Sequence, residues 1–234
     1  MLLAALFATV SEPLSLKTET VAGFKVRVIR ADLASPRIKV GVVLAQGFPG
    51  ADESFASMIK RNSPAAVING AYFDKFTKLP IGDIVTGGQV RHSGRMGTAL
   101  TLTPEQTPDL LRVVRHKTYA WGTYETVLAC GPALVLDGKV NVDAGGEGFR
   151  SAAIQGKIAR MGVGYSQDRV LFLVQFLSKA TFDDMAKVFL GLGCFEAMNL
   201  DAGASLGMAW RGKILTQPQR KLTNLLAVWD QEPS

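Results

Sequence analysis

The sequence predicts a single α+β domain that is rich in β-strands, with a mixed, strongly twisted sheet and two main helices. Short runs of β-branched and other apolar residues, bounded by Gly, Pro, Asn and Asp, recur along the 234 residues. Apolar residues at helical spacing are clear in two segments. No linker-like stretch or fixed-period repeat interrupts the chain, which is long enough for one domain with a sizeable core.

The first strands and the first helix are predicted near the N-terminus. Phe24–Ile29 and Ile38–Leu44 are predicted as strands because they are apolar, β-branched and bounded by turn residues. Ala51–Asn62 is predicted as a helix with Asp52 as its N-cap. Ala65–Phe73 follows as a strand that runs into a turn.

The middle and the end of the chain carry hairpin signals. Gly87-Gly88 and Asp137-Gly138 each separate short apolar runs, and the second pair predicts a primed turn. Another hairpin joins Ile158–Tyr165 to Val170–Phe176, and the latter run is apolar on both faces, which places it centrally in a sheet. The remaining predicted strands are Ala99–Leu102, Leu110–Val114, Trp210–Leu215 and Leu222–Trp229.

The segment Thr181–Met208 is the most informative about function. Thr181 is a good N-cap and opens a Thr-x-x-Asp capping pattern for the second helix. Phe195–Asp201 is predicted as a strand, whose alternation puts Asn199 and Asp201 on one face. The four small residues that follow permit close approach of a ligand to the backbone. The alternative is that the amide and the carboxylate only make turn hydrogen bonds.

The N-terminal residues suggest export. Met1–Val10 is apolar but too short to span a bilayer. We interpret residues 1–15 as the remnant of a secretory signal or an N-terminal extension, although a basic segment is missing. Residues 16–234 then form the domain, and a periplasmic or secreted location is expected. The alternative is a buried first strand in a trimmed chain; no other segment is predicted to be transmembrane.

The charge of the chain favours anionic partners. Its formal net charge is +6, but the basic residues are scattered and no RNA-binding aromatic signature appears. Nucleic acid is therefore not an expected partner. Arg160 lies among small and apolar residues, where a guanidinium usually needs a carboxylate or phosphate, and Arg220 precedes the last strand. Each could instead be an exposed arginine or part of a structural ion pair. Cys130 and Cys194 fit one disulfide or two buried thiols.

Several familiar motifs fail in their context. Gly203–Gly207 fits G-x-S-x-G, but a poor helix follows and both histidines of the chain precede the serine, which disfavours a serine hydrolase. The histidines and cysteines lack zinc-site spacing. Asp143–Gly146 resembles a phosphate loop in composition only. No cofactor is expected; a divalent cation at Asp201 is possible but no ligand spacing indicates it.

Taken in order, the motifs resemble the phosphodiester glycosidase family. The resemblance covers roughly Gly23 to Trp229, and Ala202 and Ala204 stand where the family usually has glycines. The residues that carry it are Val67–Phe73, Leu79–Gly82, Cys130–Leu134, Ala159–Gly164, Met198–Ser205, Arg220 and Asn224.

The resemblance implies cleavage of a sugar–phosphate diester at the anomeric C–O bond. Positive charge would bind the phosphate, and Asp201 would act as nucleophile or as the base for water at the oxocarbenium-like carbon. Asp74, Asp83 and Glu147 are unranked candidates for a second carboxylate. Carried onto this sequence, the catalytic residues are Asp201, Asn69 and Asn199, and the substrate-binding residues are Arg160, Arg220, Gly203, Ser205 and Tyr72.

The expected function is therefore an exported hydrolase acting on a phosphate-linked glycan of an envelope or extracellular polymer, or on a small sugar phosphodiester. A non-catalytic glycan-binding or assembly module on the same fold is the alternative, and Ala202 and Ala204 support it. A phosphodiesterase that breaks a P–O bond is a weaker alternative.

Overall fold

The computed structural model describes residues 12–114 and 117–231. The predicted signal-like segment Met1–Val10 and His116 lie outside the described residues. The β-rich α+β class is confirmed, since 42% of the residues lie in strands and 13% in helices. The elements are β1 Leu14–Val21, β2 Phe24–Asp32, β3 Ile38–Leu44, α1 Phe55–Asn62, β4 Ala66–Asn69, β5 Ile84–Thr86, β6 Gln89–His92, β7 Thr98–Leu102, β8 Pro108–Arg112, β9 Thr126–Ala129, β10 Ala133–Leu136, β11 Lys139–Val140, α2 Ala152–Gln155, β12 Met161–Tyr165, β13 Val170–Phe176, α3 Phe182–Gly191, β14 Glu196–Asn199, β15 Met208–Trp210, β16 Lys213–Thr216 and β17 Asn224–Asp230.

The described strands form three sheets rather than the one mixed sheet that the sequence predicts. The first sheet has the order β1-β2-β13-β12-β14-β10-β11, the second β16-β15-β4-β17-β3, and the third β6-β5-β9-β7-β8. Every pairing between these strands is antiparallel. Tight turns join many neighbours directly, whereas parallel neighbours need long crossover connections. The predicted central position of β13 is confirmed, since it lies between β2 and β12.

Three local predictions need correction. The first helix starts at Phe55 because Ser54 is its N-cap, accepting a hydrogen bond from the Ser57 N–H at 3.2 Å; Asp52 instead pairs with Lys78. The predicted strand Trp210–Leu215 is two strands, because Arg211 and Gly212 turn the chain with positive φ angles. A short third helix, α2, follows the Gly-rich loop of residues 143–149.

The core lies between the sheets. Its largest apolar cluster takes side chains from all three, such as Ile29, Ile68 and Leu100. Helix α3, with the predicted Thr181 cap and a capping box, packs against the opposite face of the first sheet. A Cβ at Gly164 would lie 2.8 Å from that of Ala197 and 3.0 Å from the Phe189 ring, so glycine lets this helix lie close to the sheet.

The two cysteines are separate buried thiols, so of the two alternatives the disulfide is excluded. Both side chains are almost completely buried, and burial raises the pKa of each thiol. No helix among the described residues has the length and apolar character needed to cross a membrane.

Candidate active site

Two buried strands from different sheets, β4 and β14, bring the predicted site residues together. The Asp201 N–H donates to the Gly70 carbonyl at 3.0 Å, which joins the loops that follow these strands. The Asn69 Nδ2 donates to the Asp201 carbonyl at 2.8 Å, and its Oδ1 accepts from the Gly207 N–H at 3.3 Å. The Asn69 side chain therefore fixes the backbone that carries Asp201, with both of its polar atoms already bonded to the chain.

The Asp201 carboxylate lies in a polar cluster although it is only 4% exposed. Its Oδ1 accepts from the Ala202 N–H at 2.7 Å, and its Oδ2 accepts from Arg220 Nη2 at 2.9 Å. Arg220 Nε also donates to Ser205 Oγ at 2.7 Å. The Arg220 Cζ lies 4.5 Å from the centre of the Phe73 ring, which supports the guanidinium by a cation–π contact.

Burial raises the pKa of the Asp201 carboxyl above its ordinary value of 3.8. The hydrogen bond from Ser205 and the positive charge of Arg220 act in the opposite direction and offset only part of this effect. A desolvated carboxylate next to an arginine is a candidate for acid–base or nucleophilic chemistry.

Asn199 and Tyr72 form the inner part of the cluster. Asn199 Nδ2 donates to the Tyr72 hydroxyl at 2.8 Å and to the Gly131 carbonyl at 3.1 Å, while Asn199 Oδ1 is buried without a hydrogen-bond partner. Burial raises the pKa of the Tyr72 phenol far above its ordinary value, so the hydroxyl is neutral. The Tyr72 ring packs on Phe149 at 5.6 Å between centroids. Asn199 is completely buried, whereas Tyr72 is partly exposed, so the Tyr72 side chain is the member of this pair that a substrate can reach.

Arg160 is enclosed by protein and lies next to Tyr72. Its Nε donates to the Ala180 carbonyl at 3.3 Å, and its Nη2 donates to the carbonyls of Gly156 (2.8 Å) and Ile154. Its Cζ lies 4.0 Å from the centre of the Phe182 ring, and its Nη1 is buried and unpaired. Burial lowers the pKa of Arg160, and the nearby Tyr72 phenol counters this. The guanidinium thus holds three carbonyls in place, and Nη1 is its one nitrogen without a hydrogen-bond partner among the described residues.

The small-residue turn needs glycine at one position. Gly203 has φ of +63°, whereas Ala202 has φ of −128°, and Ala204 is not among the residues with positive φ. The alanines at the positions where the family usually has glycine therefore cause no backbone strain. Gly203 is predicted to bind substrate, and its N–H donates to the Ala159 carbonyl at a long 3.4 Å.

The sequence alone assigns no role to two residues of the site, Asn224 and Phe73. Asn224 is buried and its Oδ1 accepts from the Ala71 N–H at 2.6 Å, which shapes the loop after β4. Phe73 supports Arg220. Both belong to the motifs that carry the family resemblance, which was the available signal; their roles depend on contacts between distant segments.

The candidates for a second carboxylate all bond elsewhere. Asp74 accepts from Thr77 in its own exposed turn. Asp83 accepts from the Trp121 indole, and Glu147 accepts from the Thr98 hydroxyl. None of the three has a hydrogen bond to Asp201 in the described part of the chain. Residues 12–114 and 117–231 also contain no group of three His, Cys, Asp or Glu placed to hold a metal ion.

A buried carboxylate paired with an arginine that also contacts a serine, on a β-rich α+β scaffold, is a candidate for the acid–base or nucleophilic chemistry of a hydrolase. The sequence model of the phosphodiester glycosidase family matches residues 62–229, and the chain belongs to this family.

Solved structures share the fold at low sequence identity. A hypothetical protein from Synechocystis has a TM-score of 0.72 and 15% identity over 93% of this chain, which spans 62% of that protein. The zebrafish N-acetylglucosamine-1-phosphodiester alpha-N-acetylglucosaminidase catalytic domain, auto-inhibited by its pro-peptide, has a TM-score of 0.72 and 17% identity, with 96% and 85% of the two chains covered. A Burkholderia pseudomallei K96243 protein whose name includes the words "exported protein" has a TM-score of 0.65 and 15% identity, with 88% and 74% covered. No curated protein matches the sequence.

Proposed function

We propose that the protein hydrolyses a sugar-1-phosphodiester at the anomeric C–O bond and releases a free sugar and a phosphomonoester. The supporting observation is the contact of the buried Asp201 carboxylate with Arg220, whose Nε also donates to Ser205. Membership of the phosphodiester glycosidase family supports the same reaction class.

Arg220 is the phosphate-binding group in this mechanism. Its side chain is 35% exposed while that of Asp201 is 5% exposed, so the guanidinium lies between solvent and the carboxylate. Nη1 has no hydrogen bond to any described residue and is available to a phosphate oxygen. A phosphate that binds Arg220 competes with Asp201 for the guanidinium and leaves the carboxylate free to act.

Asp201 acts at the anomeric carbon, as nucleophile or as the base that takes a proton from water. The bond from the anomeric carbon to the phosphate oxygen breaks, and its electron pair leaves with the phosphomonoester. The water oxygen ends on the sugar, directly or after a covalent sugar–Asp201 intermediate. Tyr72 orients the sugar, the buried Asn199 holds the Tyr72 hydroxyl, and Asn69 holds the Asp201 backbone.

The proposed substrate is a phosphate-linked glycan of an envelope or extracellular polymer, and the proposed location is periplasmic or secreted. The net charge of +6 and the apolar segment Met1–Val10 support this. The name of the Burkholderia pseudomallei structural neighbour is consistent with export.

Isotopically labelled water tests the reaction. We expect the label to enter the anomeric hydroxyl of the released sugar and not the phosphomonoester, because the C–O bond breaks. Mass spectrometry of both products gives the result. Label in the phosphate would establish P–O cleavage instead. Polymer binding without any product, at high protein concentration, would establish the glycan-binding alternative.

The pH dependence tests the state of Asp201. Burial raises the pKa of Asp201 above 3.8. As the pH falls, the ionised form that catalysis needs is therefore lost while the pH is still above 3.8. The acid limb of kcat/KM should therefore lie above the ordinary aspartate value. Arg220→Gln should move it further upward, because the Arg220 charge lowers this pKa.

The matched control for this test is Arg37→Gln. It removes an arginine that pairs with Asp230, away from the site, and should leave the acid limb in place. An acid limb at or below 3.8 in the wild-type protein would contradict the assignment of Asp201 as the titrating group.

A further inference from the structure

A second basic pocket, which we term the arginine pocket, lies outside the contacts of Asp201. It has a volume of about 590 Å³ and is lined by Arg95, Arg112 and Arg150. These exposed arginines come from three segments: the β6–β7 connection, the end of β8, and the residue after the Gly-rich loop. Neither Arg95 nor Arg150 uses its guanidinium in a hydrogen bond or ion pair with another described residue.

The acidic groups near the arginine pocket neutralise it only in part. Glu147 is buried; its Oε1 accepts from the Ala133 N–H at 2.9 Å and its Oε2 from the Thr98 hydroxyl at 2.7 Å, so its oxygens are bonded inward. Burial also raises the pKa of Glu147. Asp143 pairs with Arg112 at 3.2 Å, but both side chains are about half exposed. An ion pair this exposed is weak, and a phosphate can readily replace Asp143 as the partner.

The arginine pocket and the Asp201 cluster share a wall. Gly131 donates its N–H to the Asn199 carbonyl at 3.1 Å, and a Cβ at Gly131 would lie 2.9 Å from Glu147 Oε2. Phe149, at the end of the same Gly-rich loop, packs on Tyr72. One layer of residues thus separates the pocket from Asn199 and from Tyr72, which is proposed to orient the sugar.

We propose that the arginine pocket binds a second phosphate group of the substrate. The enzyme then prefers glycans with more than one phosphodiester over a single sugar-1-phosphodiester. Three guanidiniums from separate segments form a site for an oxyanion, since arginine binds phosphate through paired, charge-assisted hydrogen bonds. This inference rests on the proposed function for its substrate class, but the anion site itself is measured independently of turnover.

The test compares two triple variants. Arg95→Gln, Arg112→Gln and Arg150→Gln together remove the arginine pocket; the control removes the same charge at exposed positions elsewhere, with Lys25→Gln, Lys187→Gln and Lys213→Gln. Calorimetry with inorganic tripolyphosphate should show at least about tenfold weaker binding for the pocket variant alone. KM for a two-phosphate substrate should rise by a similar factor, and the kinetics on a one-phosphate substrate should stay unchanged.

A single substitution should have the opposite effect and strengthen tripolyphosphate binding. Asp143→Asn should tighten tripolyphosphate binding several-fold, because it releases Arg112. Asn can still accept the hydrogen bond that Asp143 Oδ1 receives from the Gly146 N–H at 2.9 Å, so the loop is kept. Weakened or unchanged binding in this variant would count against the inference.

The outcomes separate the two proposals. Equal tripolyphosphate affinities in the two triple variants would overturn the arginine pocket as a phosphate site, whatever the enzyme hydrolyses. Unequal affinities with equal KM values for the two-phosphate substrate would overturn the substrate preference. If the wild-type protein hydrolyses neither substrate, the proposed function fails and so does the substrate preference. The calorimetry then still decides whether the pocket binds phosphate.

Discussion

Replacing Asp201 by Asn is expected to reduce sugar release from a sugar-1-phosphodiester by about a thousandfold or more while the protein stays folded. Asn keeps the shape and can accept the Ala202 N–H, so the local backbone should be retained. It cannot act as a nucleophile or a base, and it removes the charge that stabilises the oxocarbenium-like carbon. Initial rates at saturating and at low substrate measure the loss of sugar release. A denaturant titration measures whether the protein stays folded.

Asp230→Asn is the matched control for this substitution. Asp230 is also a largely buried aspartate paired with an arginine: Arg37 donates to its two oxygens at 2.9 and 3.1 Å. The control should change stability and leave turnover unaltered. If Asp201→Asn and Asp230→Asn show the same rate as the wild-type protein, Asp201 has no part in the chemistry.

Replacing Arg160 by Met is expected to lower the free energy of unfolding by about 3 kcal/mol or more. The carbonyls of Ile154, Gly156 and Ala180 would lose their guanidinium donor, and Met cannot replace it. The contact with the Phe182 ring would be lost as well. Urea titration monitored by circular dichroism measures the change.

Arg30→Met provides the comparison for Arg160. Arg30 also lies over an aromatic ring, that of Phe172, and pairs with Glu19, but its side chain is 26% exposed. Its replacement should cost no more than about 1 kcal/mol. A variant Arg160→Met with wild-type stability and lost turnover would show that Arg160 serves the substrate instead of the fold.

The sequence predicted the local elements well, because their signals are local. The Thr181 cap, the Asp137-Gly138 turn and the doubly apolar β13 each depend on a few neighbouring residues. Division into three sheets was not predictable in this way. β17 lies between β3 and β4, which are far away along the chain, and no periodicity specifies such partners.

The candidate site, like the fold, was predictable from the sequence only where its signals are local. Spacing singled out Asn199 and Asp201 within one strand and its turn. The contact of Asn69 with Asp201, 132 positions apart, depends on how the first and second sheets meet. Only the family resemblance linked these segments beforehand. The enclosure of Arg160 was equally hidden, since a small-residue neighbourhood does not reveal which carbonyls surround a guanidinium.

The bond between the Asp201 N–H and the Gly70 carbonyl has an evolutionary consequence. Main-chain atoms make it, so drift in the surrounding side chains leaves it intact as long as both strands end at the same place. A carboxylate anchored this way tolerates extensive divergence around it. This offers a physical reason why chains that share only 15–17% of their residues can preserve one architecture.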